Sequence, residues 1–268
     1  MIWSTIFRCS LYCILLAVLS LAPGLSKAAD SRPIIAVASN LRLAIEDVAT
    51  SFQKETGHRV RFSFGSSGNL TRQILQGAPF AMFMSADEAY VHRLSEAGAG
   101  VNSGDIYAYG RIAIFIPSGS NLLEASFPDG FADRFSDNRH ARFAIAKPEL
   151  APYGRAAKEA LIHAGLWERM QTHLIYGENI SQTAQFTLSG SALGGVIAYS
   201  QALSPQFSKG GSLQLIPPSW HQPLAQKMVL LQGADGIAEK FYDFVKSKQA
   251  RDIFRRHGYM ATSGKGAQ

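Results

Sequence analysis

Two adjacent serines, Ser66 and Ser67, stand between a strand-like run and a helix-like run in FSFGSSGNLTRQILQGAP, residues 62–79. No carboxylate or histidine lies in this stretch. Serine hydroxyls and the backbone N–H groups of a helix start can surround an oxyanion with neutral hydrogen-bond donors. Gly65 and Gly68 would let the backbone come close to it. The stretch therefore predicts part of an anion cradle, and the alternative is that both serines are ordinary helix N-caps.

Three other places have the same character, with small polar or flexible residues directly after an apolar run. They are Ser39-Asn40, Ala151-Pro152-Tyr153-Gly154 and Glu178-Asn179-Ile180-Ser181. The first turn of a helix leaves backbone N–H groups without internal partners, and the positive end of the helix dipole lies there too. In open parallel sheets, ligands gather at the carboxyl ends of the strands, where such helices begin. We therefore expect the four junctions to meet around one small anion.

Catalysis is the main alternative use of the serine pair, and the surrounding sequence argues against it. The pair lacks the G-x-S-x-G nucleophile elbow, and no histidine and acid stand where the other junctions would bring them near it. The seven histidines are spread singly, without a paired metal-binding spacing, and no phosphate-binding or dinucleotide-binding loop occurs. The sequence thus predicts a binding protein that is not an enzyme and has no cofactor. A secreted serine hydrolase is the alternative from another class.

The elements that must position these junctions follow a strand-helix rhythm. PIIAVASN, residues 33–40, has the composition of a buried strand, and apolar residues then recur at helical spacing from Leu41 to Phe52, before Gly57. HRVRFSFG and FAMFMSAD begin two further strand-helix units. Three such units in succession predict right-handed crossovers and a parallel sheet with helices on both faces.

The rhythm is interrupted and then resumes, which predicts two lobes. YAYGRIAIFIPSG, residues 107–119, and QKMVLLQG, residues 226–233, are long apolar runs that we interpret as crossings between the lobes. The predicted fold is α/β, with mostly parallel sheets. Its expected parts are a signal peptide (1–28), the first part of lobe 1 (29–108), lobe 2 (109–226) and a return strand with C-terminal helices completing lobe 1 (227–268). The polar loop FPDGFADRFSDNRH, residues 127–140, is not assigned to any predicted strand or helix.

The N-terminus has the pattern of a secretory signal peptide, which predicts delivery to the periplasm. Arg8 supplies positive charge, residues 11–21 are almost wholly apolar, and Ser26-Lys27-Ala28 offers small residues at cleavage-site positions. A membrane anchor is the alternative. It needs about 20 apolar residues, whereas this run is shorter and ends at Pro23-Gly24.

Charge and cysteine content narrow the possible partners. The formal net charge is +6 at pH 7, and the basic residues are scattered rather than gathered in a stripe. A mildly positive protein attracts small anions, whereas nucleic-acid binding needs a basic patch. Both cysteines, Cys9 and Cys13, lie in the predicted signal peptide, so we expect no disulfide in the mature chain.

Five segments resemble, in matching order, the periplasmic molybdate-binding proteins of ABC transporters, which also take tungstate. They are AVASNLRLAIEDVATSFQKETGHRV, FGSSGNLTRQILQGAPFAMFMSADE, KPELAPYGRAAKEAL, GENISQTAQF and FYDFVKSKQARDIFRRHGY. The resemblance runs over nearly the whole chain after the signal peptide. It implies a two-lobed type II periplasmic binding protein that closes on a tetrahedral oxyanion. Such a protein would be a monomer that delivers its ligand to an ABC permease in the inner membrane.

The resemblance also implies the ligand-binding residues, each at a junction already named. They are Ser39, Asn40, Ser67, Tyr153 and Ile180. The two serines would donate from their hydroxyls, and all of these residues except Asn40 would donate from their backbone N–H groups. The metal would be bound only inside the molybdate or tungstate oxyanion, without direct protein ligands.

Asn40 is where the family varies. Some members place a ligand-contacting tyrosine where this chain has Ala198, with Tyr199 beside it. Other members have an asparagine directly after the first serine, and Asn40 matches that variant. We therefore expect the Asn40 side chain to replace the tyrosine as a donor.

The residues alone do not exclude other anions as the ligand. A site for phosphate, which carries protons near neutral pH, normally needs a carboxylate acceptor, and Glu178 is the only carboxylate in the four junctions. A carboxylate ligand usually pairs with an arginine. Arg72 and Arg155 follow two junctions, but at first-turn positions we expect them to face solvent. Sulfate has the charge and shape of molybdate and differs chiefly in size, which a sequence cannot measure.

Overall fold

The computed structural model describes residues 32–124, 127–136 and 140–262, which form two lobes, each built on one five-stranded sheet. The predicted signal peptide, residues 1–28, lies outside the described residues. Among the helices of the described ranges, none combines the length and the apolar character needed to cross a membrane.

The elements are numbered in chain order. The strands are β1 (Ile34–Ala38), β2 (Arg61–Gly65), β3 (Met82–Met84), β4 (Asp105–Gly110), β5 (Ile112–Pro117), β6 (Phe143–Ala146), β7 (Leu174–Gly177), β8 (Gly194–Ala198), β9 (Gly211–Leu215) and β10 (Leu224–Leu230). The α-helices are α1 (Arg42–Thr56), α2 (Ser67–Leu75), α3 (Ala89–Glu96), α4 (Asp133–Ser136), α5 (Pro152–His163), α6 (Trp167–Met170), α7 (Ile180–Leu188), α8 (Tyr199–Ala202), α9 (Pro205–Ser208), α10 (Gly236–Val245) and α11 (Lys248–Arg256). Short 3-10 helices occupy Ser39–Leu41, Asn121–Glu124, Gln171–His173 and Pro218–Trp220.

The first sheet has the strand order β2-β1-β3-β10-β4. β1 pairs in parallel with β2 and β3, while β10 runs antiparallel to β3 and β4. Ile35 and Val37 of β1 pack in a cluster with α1, α10 and α11, and Ala36 packs on the opposite face with α2 and α3. Because both faces of β1 are covered, its sequence is apolar throughout instead of alternating.

The second sheet repeats this arrangement with the order β7-β6-β8-β5-β9. β6 pairs in parallel with β7 and β8, while β5 runs antiparallel to β8 and β9. Each sheet is therefore mixed. Its parallel strands come from the strand-helix rhythm, and its antiparallel strand, β10 or β5, directly follows a crossing between the lobes.

The chain changes sheets at two places. The run YAYGRIAIFIPSG consists of two strands, β4 and β5, divided at Arg111, the first in one sheet and the second in the other. The return passes through Pro218–Trp220 between β9 and β10. The predicted two-lobed α/β fold with two crossovers is thus confirmed. The lobe limits at 109 and 227 stay predictions, because strand membership does not by itself define where a lobe begins.

Helix starts at the sheet edges are stabilised by the residues that the sequence supplies there. Ser66 Oγ accepts a hydrogen bond from the Asn69 N–H at 3.3 Å, and Asn179 Oδ1 accepts one from the Ser181 N–H at 3.0 Å. α5 begins at Pro152. Because proline has no N–H, the first turn of this helix has one fewer N–H group without a partner. These starts follow β2, β7 and β6, so three of the predicted junctions are formed as expected.

Aromatic side chains anchor the polar loop that the sequence left unassigned. In its described part, Phe131 and Phe135 are buried in the core of the second lobe. Their rings lie 5.4 Å and 6.2 Å from the ring of Phe143 in β6. The position of the described part therefore follows from its phenylalanines, and the charged side chains of Asp129, Asp133 and Arg134 are exposed.

Candidate anion-binding site

One small cavity lies where helix starts of both lobes meet. Its volume is about 10 Å³, far below the roughly 300–1,000 Å³ of pockets for organic ligands. No charged side chain of the described residues lines it. The lining contains all five residues predicted from the sequence, and consists of Ala38, Ser39, Asn40, Gly65, Ser66, Ser67, Ala86, Ala151, Pro152, Tyr153 and Ile180.

The two serines of the second junction have different roles. Ser66 caps α2 through its Oγ. Ser67 is 1% exposed, and its Oγ accepts a hydrogen bond from the Ala86 N–H at 3.0 Å. A hydroxyl has one proton to donate, and no group of the described protein accepts the one on Ser67. Ser67 can therefore donate to an anion in the cavity.

Unpaired backbone donors surround the same cavity. The N–H groups of Ser39, Ser67, Tyr153 and Ile180 have no carbonyl acceptor within the described chain. The last three stand in the first turns of α2, α5 and α7, where the positive ends of the helix dipoles lie. An anion in the cavity can satisfy these donors, which water would otherwise have to satisfy.

The Asn40 side chain belongs to a buried polar network. Its Nδ2 lies 2.9 Å from Gln226 Oε1 and 2.9 Å from Tyr259 Oη. Tyr153 Oη lies 3.3 Å from the same nitrogen. An amide has two N–H groups, so these neighbours use both. Asn40 Oδ1 is buried and has no donor among the described residues. Donation to a ligand would need a rotated amide, and the predicted role of this side chain stays a prediction.

Sequence reasoning missed the other members of this network. Gln226 is fully buried in β10, and its Nε2 donates to Ala86 O at 3.3 Å. Tyr259 Oη and Ser200 Oγ both donate to Asn40 O, at 2.9 and 3.0 Å. A glutamine inside the apolar run LAQKMVL was an available signal. Tyr259 gave no local signal, because its partners lie far away in the sequence.

The lobes touch on two sides of the cavity. On one side, Ser181 Oγ in α7 donates to Ser39 O at 3.1 Å. On the other side, the Gly68 N–H in α2 donates to Leu150 O at 2.9 Å. Each bond joins the two lobes beside residues that line the cavity, so the described arrangement is a closed one.

The two arginines near the junctions differ. Arg72 is exposed as expected, and its Nη2 donates to Asn69 Oδ1 at 2.8 Å. The expectation that Arg155 faces solvent is met only in part, because its side chain is 41% exposed but its guanidinium pairs with Asp87 of the other lobe. The partner comes from the loop after β3, which only the closed arrangement brings opposite the start of α5.

Glu178 and Tyr199 do not line the cavity. Glu178 is exposed. The Tyr199 ring lies 4.4 Å from the Arg111 guanidinium carbon, beside the first crossover. Within the described ranges, no group of three or more histidine, cysteine, aspartate or glutamate side chains could hold a metal ion.

The buried phenols of the network predict a loss of stability at alkaline pH. Burial raises the pKa of Tyr259 from its ordinary 10.0 to about 12, and burial also holds the pKa of Tyr153 well above its usual value. Above pH 10 the unfolded chain releases these protons while the folded chain keeps them. The stabilising contribution of Tyr259 is therefore fully present below pH 10 and is lost between pH 10 and about 12, and that of Tyr153 also declines as the pH rises above 10.

For Tyr259 alone we expect a loss of about 3 kcal/mol in the free energy of unfolding. Urea denaturation at several pH values across this range measures it, and Tyr259→Phe should show a shallower decline. An identical decline in the variant would assign the effect to other groups.

Two α/β lobes that close over a cavity of neutral donors define a solute-binding protein. A family model described as bacterial extracellular solute-binding protein matches residues 34–260. The chain is 37% identical over 246 residues to the molybdate-binding protein ModA of Rhodobacter capsulatus, covering 90% of this chain and 94% of that protein. It is 30% identical over 246 residues to ModA of Escherichia coli K12, covering 91% and 95%. The chain therefore belongs to the bacterial extracellular solute-binding proteins, in the ModA family.

A solved structure supports this assignment. The periplasmic molybdate-binding protein of Azotobacter vinelandii matches with a TM-score of 0.78 and 28% identity, over 87% of this chain and 100% of that chain. The family is a class of extracellular transport proteins and not a class of enzymes.

Proposed function

We propose that this chain captures molybdate or tungstate as a doubly negative tetrahedral oxyanion between its lobes and delivers it to an ABC permease. One observation carries the proposal: unpaired neutral donors from both lobes line one small cavity that no charged side chain of the described residues enters. The names of the ModA relatives support the choice of ligand.

The unpaired donors at the cavity support the choice of ligand-binding residues. Ser39 and Ser67 would donate from their hydroxyls, and these two residues together with Tyr153 and Ile180 would donate from their backbone N–H groups. Asn40 would join them through a rotated side-chain amide. Hydrogen bonds to an ionised acceptor are shorter and stronger than neutral ones. A buried lysine or arginine would add its own desolvation penalty, so neutral donors hold the dianion and still allow its release.

The proposed function ends with release and includes no chemical step. A serine nucleophile needs a general base within hydrogen-bond reach, and no histidine, aspartate or glutamate is among the described lining residues. Ester and phosphoester substrates test the hydrolase alternative directly. Turnover that disappears in Ser67→Ala would overturn the proposal.

The cellular setting is part of the proposal. A signal peptide cleaved after Ala28 would place a monomeric receptor in the periplasm, with lobes at 29–108, 109–226 and 227–268. Mass spectrometry of the exported protein should give an N-terminus at Ala29, and sedimentation should give a monomer. A retained N-terminal segment would refute the cleavage, and a stable dimer would refute the monomeric state.

Thermal melts test the ligand. We expect molybdate and tungstate to raise the melting temperature of the mature protein above that in chloride buffer. At a ligand concentration 100 times the dissociation constant, stability should rise by about 2.7 kcal/mol. Sulfate and phosphate are the comparison anions. An equal rise with sulfate would refute the specificity for molybdate, and no rise with any tetrahedral anion would refute the function.

A further inference from the structure

We propose that Gly68 and Arg155 are positioning residues that set how closely the lobes approach over the anion, and therefore how long the anion is retained. Neither residue lines the cavity. Each is close in sequence to a proposed donor, Ser67 or Tyr153, and each bonds to the opposite lobe. The inference rests on the proposed function, because it concerns retention at the same site.

Gly68 allows the closest approach of the two lobes on one side of the cavity. Its N–H donates to Leu150 O at 2.9 Å. A Cβ atom at position 68 would lie 2.9 Å from Leu150 O, 3.1 Å from Leu150 Cα and 2.9 Å from Tyr90 Oη. Two of these three atoms are backbone and cannot turn aside as a side chain can. Any residue other than glycine would therefore hold the lobes farther apart.

The shape of α2 itself does not require this glycine. Gly68 is inside α2, and its φ is not positive. Alanine is the better helix former at such a position, by up to about 1 kcal/mol. The contact with Leu150 thus explains the glycine, whereas local backbone geometry does not.

Arg155 neutralises a carboxylate beside the cavity. Asp87 directly follows the lining residue Ala86, and its side chain is only 5% exposed. Its Oδ1 accepts from the Tyr90 N–H at 3.3 Å, and its Oδ2 pairs with the Arg155 guanidinium from the other lobe. A buried negative charge next to a bound dianion is unfavourable unless a cation compensates it.

This pairing links retention of the anion to closure. When the lobes separate, Arg155 leaves with the second lobe and Asp87 stays on the first lobe, next to Ala86 and Ser67. The uncompensated carboxylate then repels an anion still held by the first lobe. Opening therefore favours release, and closing removes the repulsion.

Stopped-flow kinetics with molybdate test both residues. We expect Gly68→Ala to raise the dissociation rate about tenfold, with the association rate changed much less. The melting temperature of the unliganded protein should stay the same or rise, because alanine favours the helix. Small-angle scattering should show less compaction on adding molybdate than for the wild type. Gly119→Ala is the matched control, since a Cβ there meets nothing within 4 Å.

Variants of Arg155 and Asp87 test the role of the ion pair. Arg155→Gln should also weaken binding about tenfold. The double variant Arg155→Gln, Asp87→Asn should recover part of that loss, because the uncompensated carboxylate is gone. If the ion pair only held the lobes together, the double variant would not recover any molybdate affinity. Arg169→Gln is the matched control, because Arg169 pairs with Asp133 on the exposed surface of one lobe.

The outcomes separate this inference from the proposed function. If the wild type binds molybdate and Gly68→Ala keeps its dissociation rate, the role of Gly68 is overturned. If the double variant binds no better than Arg155→Gln, the role of the charge pair is overturned. If the wild type binds none of molybdate, tungstate and sulfate, the proposed function fails and this inference fails with it.

Discussion

Ser67→Ala should weaken molybdate binding by about 10- to 100-fold, because a hydrogen bond to a charged group contributes about 1.5–3 kcal/mol. The Ser67 hydroxyl is buried at the cavity, and its orientation is set by the Ala86 N–H. The substitution removes the donor and also leaves that N–H without its acceptor. Isothermal titration of the purified variant with molybdate measures the change in the dissociation constant.

Two further serines make this prediction specific. Ser247 caps α11 by accepting from the Ala250 N–H at 3.1 Å and does not line the cavity. Ser247→Ala should lower stability by about 1 kcal/mol and leave molybdate affinity unchanged. Ser66→Ala should lower stability by a similar amount, with a smaller effect on affinity than Ser67→Ala. A larger effect from Ser66 would reverse the division of roles between the two serines.

Gly154→Ala should reduce both stability and anion binding. A Cβ at this position would lie 2.1 Å from Ala146 O and 2.6 Å from Ala146 C, both backbone atoms at the end of β6. The start of α5 would have to move away from the sheet, which costs about 1–3 kcal/mol for an overpacked site and occasionally more. The same movement displaces the Tyr153 N–H from the cavity, so we expect affinity to fall as well.

Urea denaturation and isothermal titration measure the two parts of this prediction. Gly119→Ala is again the control, since it makes the same chemical change in open space. Wild-type affinity in a destabilised Gly154→Ala protein would show that the Tyr153 N–H is not a ligand donor. If Gly154→Ala is as stable as the wild type, the start of α5 can move without strain.

Local patterns were sufficient for most of the elements. β1 is a short run of buried apolar residues, and α1 ends where Gly57 takes a positive φ of 73°. Both signals lie within a few residues of the structure that they predict. The run from Tyr107 to Gly119 was harder, because the end of β4 and the whole of β5 form one extended stretch, and the single charged residue Arg111 between them does not by itself indicate a change of sheet.

Contacts between the lobes were not predictable in the same way. Arg155 was expected in solvent because its own helix position favours that, and the pairing with Asp87 joins residues of different lobes. Tyr259 reaches Asn40 only because the C-terminal helices pack back on the first lobe. Such pairings depend on how distant segments pack, so a local sequence pattern does not predict them.

The sequence by itself determined which groups stand at the starts of the helices: small residues, serine hydroxyls and first-turn amides. Helix starts depend on nearby residues, so this part of the site was accessible without a structure. Only the tertiary structure decided that these starts meet in one cavity, that Asn40 is held in a buried network and that Gly68 lies against Leu150. Those properties depend on distances of a few ångströms between segments far apart in the chain, and such distances follow from the packing of whole lobes.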